Sequence, residues 1–193
     1  MKRPVPLTLL LIPAVLLCWL AMMAVHEAGH VLHAVISGGR VTHVVLHPLR
    51  ISRTDVSPNP HPLFVIWGGF LWGVLLPLVF RPATPRRFRL ARFLAAFFAG
   101  FCLIANGGYL AAGAFFPAGD TRVLRGAGVS PLTMGILGVI SLACGLYCWH
   151  RLDSSVSGSG RDEWQPTAGD VVKVTAALVT VVALEVGFSM MSA

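Results

Sequence analysis

The sequence predicts an all-α polytopic membrane protein: about five transmembrane helices, with a short β-hairpin-like segment after the first. Three observations carry that reading. Hydrophobic residues make up 55% of the 193 residues and charged residues only 12%, against about 25% charged in an ordinary soluble domain. The mean hydropathy is +0.75. The apolar residues gather in long runs separated by polar stretches rich in Arg, Pro and Gly. Such a chain is too apolar to be disordered, and folded in water it would expose large apolar patches. The net charge of +7 reads as basic loops facing anionic headgroups and setting topology. A single membrane-embedded domain over 1–193 is expected, integral and multi-pass, with the lipid bilayer as its surroundings and no nucleic-acid partner.

The first apolar run covers about 7–36, and Pro13 interrupts it only mildly. It is too long for a secretory h-region and ends in no small-residue cleavage site. As a helix it reaches about 45 Å, more than the roughly 30 Å hydrocarbon core, so one end projects or the helix tilts. Gly38-Gly39 stops it. Over 40–62 apolar Val41, Val44, Leu46, Leu49 and Ile51 interleave with polar residues. That predicts a short hairpin with Pro48 at an edge or turn, closed by the Ser57–Pro62 breaker.

A second span is expected at 63–80, ended by Arg81-Pro82 and the Arg86, Arg87, Arg89 cluster. A third follows at 90–116, containing Asn106-Gly107-Gly108, and then a polar loop to Pro131 carrying Asp120. A fourth is placed at 132–149. Residues 150–170 are polar, with a flexible linker at 154–160. A fifth, at 171–191, holds Lys173 and Glu185. Cys18, Cys102, Cys144 and Cys148 all sit in apolar stretches and read as packing or lipid-facing residues, not as a disulfide framework.

Basic residues set the orientation. A cytoplasmic N-terminus puts Lys2, Arg3, Arg81, Arg86, Arg87, Arg89, Arg92, Arg151, Arg161 and Lys173 inside. Arg40, Arg50, Arg53, Arg122 and Arg125 then lie outside. The two-to-one bias favours that arrangement.

The chemistry is concentrated in His26-Glu27-Ala28-Gly29-His30, an H-E-x-x-H pattern. On a helix, residues i and i+4 share a face, so both imidazoles can reach one Zn²⁺. Glu27 is placed to take a proton from water on the metal. Ionisable residues inside a span are costly and functional by default, and three fall within five residues here. The bland alternative is a helix end at the interface, where these groups are merely solvated.

HEAGH in the first long span, then Gly-Gly, a hairpin, a Gly-Gly-containing second span and Asn-Gly in the third, resembles the site-2 protease family of intramembrane zinc metalloproteases. The closest likeness is to its small bacterial branch, over roughly residues 20–130. The resemblance implies His26 and His30 as zinc ligands, Glu27 as catalytic base and an Asp near the end of the third span as third ligand. It also implies a membrane-protein substrate, a bacterial cytoplasmic membrane, and a hairpin able to pair with an unwound substrate segment. Family members usually show Asn, Pro and Asp-Gly in a tight run. Here Asn106, Pro117 and Asp120 are spread more widely, and Thr121 follows the Asp. The best-known relatives cut near the cytoplasmic side, whereas the charge bias puts HEAGH near the opposite one.

Parity also points to Asp120. The first span carries HEAGH near its exit, so the loop after the third emerges on the same side, and Asp120 is its only acidic residue. Gly113, Pro117 and Gly119 let the chain bend back toward the membrane. Asp153, Asp162, Glu163 and Asp170 follow the fourth span and fall on the wrong side. Asp55, a histidine among His33, His43, His47 and His61, or no third protein ligand stays open as an alternative. Asn106 has two readings: bridging helices, or bonding a substrate carbonyl or developing oxyanion. Gly68-Gly69 and Gly73 read as close helix packing. Cys144 and Cys148, with His150 nearby, read as packing residues because nothing there completes a metal site.

Two functions follow. One is a membrane-embedded zinc metalloprotease cutting within or beside the bilayer. The other is a non-catalytic scaffold or regulator that keeps the metal site, or a metal-binding transporter component. The intact Glu27 favours the first, since zinc binding alone does not require it.

Overall fold

The computed structural model describes residues 4–85, 87–156 and 164–191. Lys2, Arg3, Arg86, Arg161, Asp162, Glu163 and positions 157–160 of the expected linker lie outside the described residues. The elements run α1 (Leu7–Ile36), β1 (Val41–Val45), β2 (Arg53–Val56), α2 (Pro62–Ala83), α3 (Arg89–Gly113), α4 (Asp120–Gly126), α5 (Pro131–Val156) and α6 (Ala168–Met191). Five of these helices are long and apolar enough to cross a membrane. The chain has the all-α polytopic fold the composition predicts.

Helix α1 runs unbroken through Pro13. It packs against α2 and α6, while α3 packs against α5 and α2. Three apolar clusters fill the bundle. Leu10, Ala14 and Cys18 meet Phe93, Phe97, Leu152 and Val174 near the N-terminal end. Leu20, Met22 and Met23 meet Cys102 and the α6 residues Leu178, Val181 and Val182 in the middle. Leu110, Ala114, Leu124 and Met134 close the other end. Gly29 and Gly68 let α1 and α2 approach backbone to backbone, since a Cβ on either would strike the other's carbonyl. All four cysteines are free.

The strands pair antiparallel, with Val44 opposite Thr54 and a bulge between Val41 and His43. The turn between them holds Pro48, and its apolar residues Leu49 and Ile51 are exposed. At the opposite end of the bundle the Val5 amide donates to the Pro166 carbonyl at 2.9 Å, tying the start of the chain to the start of α6.

Several boundaries differ from the sequence reading. Helix α2 runs on to Ala83, through the Arg81-Pro82 expected to end it, and α6 starts at Ala168 rather than at 171. Helix α3 stops at Gly113 rather than at 116, and Ala114–Phe116 turn out of it. The loop beyond contains the short helix α4, which begins after Gly119 at φ +50°. Helix α5 continues past 149 to Val156, so 154–156 are helical rather than linker. No Gly or Pro interrupts 150–156, and Leu152 buries itself against Leu10 and Phe93, which repays the extra turn of helix.

Candidate metal centre

Helix geometry delivers the first two side chains. His26 and His30 are one turn apart on α1, with ring centroids 4.9 Å apart at 75°. Their side chains are 12% and 5% exposed. Gly69 on α2 backs them; a Cβ there would collide with both Nε2 atoms.

Asp120 arrives from the first residue of α4. Tyr109 on α3 fixes its backbone: the hydroxyl accepts from the Asp120 amide at 3.0 Å and donates to the Ala118 carbonyl at 2.8 Å. Thr121 bonds back to the Ala118 carbonyl at 2.7 Å, and Leu124 anchors α4 in the end cluster. The Asp120 carboxylate then reaches both rings, with Oδ2 2.8 Å from His26 Nε2 and 3.1 Å from His30 Nε2. Burial alone would push this carboxyl up. Protonated imidazoles at His26 and His30 would donate to it and add positive charge, which outweighs burial and holds it well below the ordinary carboxylate range.

The other ring nitrogens are already engaged. His26 Nδ1 lies 2.8 Å from Asn106 Oδ1, and His30 Nδ1 lies 2.9 Å from the Val65 carbonyl. The Asn106 amide donates to the Cys102 carbonyl at 2.9 Å, and that contact identifies which end of the amide faces His26. Both partners of the Nδ1 atoms are therefore acceptors, so both Nδ1 atoms carry protons. In the neutral rings the two Nε2 lone pairs then point at a carboxylate oxygen. Three electron-rich atoms facing one another need a cation among them, or an additional proton on the rings. The three ligand atoms lie within 4.8 Å of one another. Two imidazole nitrogens and one carboxylate oxygen, each ring braced through its far nitrogen, form a donor set suited to a divalent transition metal.

Glu27, next to His26 in the chain, is 3% exposed. Thr54 on β2 donates to its Oε2 at 2.7 Å, so the hairpin holds the carboxylate. Asn106 is 2% exposed and joins α1, the Cys102 carbonyl and, at 3.5 Å, the Gly73 carbonyl. That is the helix-bridging geometry of its two readings.

His33 stays outside the cluster. Its Nδ1 donates to the Phe64 carbonyl at 2.7 Å and its ring stacks on Phe64 at 4.1 Å. Asp55 faces Arg53 at 3.3 Å. Among the described residues, neither these nor His43, His47, His61, Cys144 and Cys148 join a group able to hold a metal.

Thr54 and Tyr109 were not singled out from the sequence. The signal for Thr54 was alternation, which puts it on the half-buried face of β2 with Val56. The signal for Tyr109 was its place one turn after Asn106. Comparison with known proteins adds no family: no family model matches the chain, and no curated protein or solved structure matches it significantly.

Proposed function

We propose that the chain is a membrane-embedded zinc metalloprotease that hydrolyses peptide bonds of membrane-protein substrates within or next to the bilayer. The observation that carries the reading is the convergence of His26, His30 and Asp120, with both Nδ1 atoms committed to acceptors and a buried Glu27 held beside them. Zinc, when bound by these three, supplies a Lewis acid for the scissile carbonyl and brings the pKa of water down to about 7.

The chain's own groups do the rest. Asn106 and the Val65 carbonyl hold the two rings in the tautomer that presents Nε2. Glu27 accepts the proton of the attacking water and passes it to the leaving amine as the C–N bond breaks. Thr54 fixes Oε2 of that carboxylate, so Oε1 carries the proton. The Asp120 side chain is 28% exposed, which leaves the centre within reach of water. A carboxylate kept next to the rings favours catalysis over a purely metal-holding role, because the cation needs only the other three groups.

The test compares the membrane proteome of cells carrying wild-type protein with cells carrying Glu27→Gln. The reading expects intact substrate spans to accumulate in the variant and their fragments to fall by orders of magnitude. Identical fragment profiles, with zinc content unchanged in both proteins, would assign the site to a non-catalytic role.

A further inference from the structure

His26 and His30 are fixed by α1, but Asp120 lies beyond the end of α3, across a turn that holds Pro117 and Gly119. Gly119 at φ +50° lets that turn reverse toward the bundle and gives it no stiffness of its own. Asp120 is also the first residue of α4, so its amide has no partner within the helix. A ligand that must be ordered as it binds loses affinity to that ordering. The third ligand therefore depends on what ties the 118–120 turn to a rigid element.

Tyr109 supplies that tie from α3, one turn after Asn106. Its hydroxyl accepts from the Asp120 amide at 3.0 Å and donates to the Ala118 carbonyl at 2.8 Å. One oxygen thus closes both sides of Gly119. The fit is close, since a Cβ at Gly119 would lie 2.7 Å from that oxygen. Thr121 acts within the segment. Its hydroxyl accepts from the Ala118 amide at 2.9 Å and donates to the Ala118 carbonyl at 2.7 Å, and a Cβ at Gly113 would strike its side chain. Thr121 and Leu124 seat α4, and Tyr109 aims its first residue.

We infer that Tyr109 is the positioning residue of the third zinc ligand: its hydroxyl holds the turn that points Asp120 at the histidine pair. None of these bonds uses the Asp120 carboxylate, so they hold the arm independently of what the carboxylate binds. The phenolic proton is committed to Ala118, so Tyr109 acts through the turn and not on substrate. One turn of α3 then serves two ligands: Asn106 braces His26 and Tyr109 braces Asp120. Tyr109 in this role requires that the site hold zinc, the first half of the reading above, and not that the chain cut peptides.

The experiment measures zinc affinity of purified full-length protein by competition with a chelator, together with the thermal midpoint of the metal-free chain. Tyr109→Phe keeps the ring and removes the oxygen. It should weaken zinc binding by about 10–100-fold, the usual cost of losing an outer partner of a metal ligand, with the metal-free midpoint retained. Gly119→Ala disturbs the same contact from the turn and should also weaken binding. The deciding arm repeats Tyr109→Phe in an Asp120→Ala chain, where two histidines hold the zinc. There the lost hydroxyl should change affinity by no more than about twofold, because the ligand it positions is gone. Wild-type affinity in Tyr109→Phe would show that the turn holds itself. The same fold loss with and without Asp120 would show that Tyr109 acts on the bundle at large. Either result overturns the inference while leaving zinc in place. A wild-type chain that binds no zinc removes the zinc reading itself, and this role of Tyr109 with it.

Discussion

At His26 the decisive contact is on the nitrogen that faces away from the ligand position. An imidazole has two tautomers, and only one presents a lone pair at Nε2. Asn106 Oδ1 at 2.8 Å selects that tautomer, and the Val65 carbonyl does the same for His30. Asn106→Ala removes the brace without touching a ligand. It should weaken zinc affinity by about 10–100-fold, the usual cost of losing a partner of a metal-binding histidine. Competition with a chelator of known affinity measures the change, and an unchanged affinity would show that the ring is oriented by packing alone. The backbone carbonyl at Val65 has no sequence signature, because any residue supplies one. The HEAGH pair was legible because its spacing is intrahelical. Its braces, Asn106 on α3, Val65 on α2 and Thr54 on β2, are brought in by tertiary packing.

At the level of helices, the seam between α1 and α6 contains an anomaly. The α6 face toward α1 runs Val174, Leu178, Val181, Val182 and then Glu185. Glu185 is 6% exposed, and among the described residues neither carboxylate oxygen has a hydrogen-bond partner. A buried polar group without a partner costs about 1–3 kcal/mol. Glu185→Leu continues the apolar seam and should raise the thermal midpoint of detergent-solubilised protein while α6 stays docked. A lower midpoint would mean that the carboxyl holds the seam together. From sequence alone Glu185 was a charge in a span with no assigned neighbour. Its twelve-residue separation from Lys173 excluded a direct pair on one helix, and the structure places Lys173 beside Asp170 instead. Helix α4 was invisible for another reason: seven residues are too few to show a helical period, and its stability comes from Leu124 docking in the end cluster.

For the whole molecule, five crossings put α1's exit, the hairpin, α4 and the start of α5 at one end. The chain start, the α2–α3 turn and the start of α6 lie at the other. The basic residues divide two to one in favour of the second end. That bias predicts a cytoplasmic N-terminus and a hairpin outside. Ser57 is exposed just after β2. Ser57→Cys, in a background without the native cysteines, should be labelled by an impermeant thiol reagent added to intact cells. Labelling only after the cytoplasmic face is opened would reverse the orientation. The span count was legible because continuous apolar length is a one-dimensional signal. The end of α5 was not, since polar residues beyond the membrane continue a helix wherever nothing breaks it and a residue such as Leu152 finds a partner.

Zinc stoichiometry tests most directly whether His26, His30 and Asp120 share one metal ion. Metal analysis of purified wild-type protein should give about one Zn²⁺ per chain. His26→Ala, His30→Ala should retain none, Asp120→Ala should lose it to a mild chelator, and Glu27→Gln should match wild type. Full zinc occupancy in the double-histidine variant, or a wild-type chain that binds no zinc at any concentration, would contradict the account.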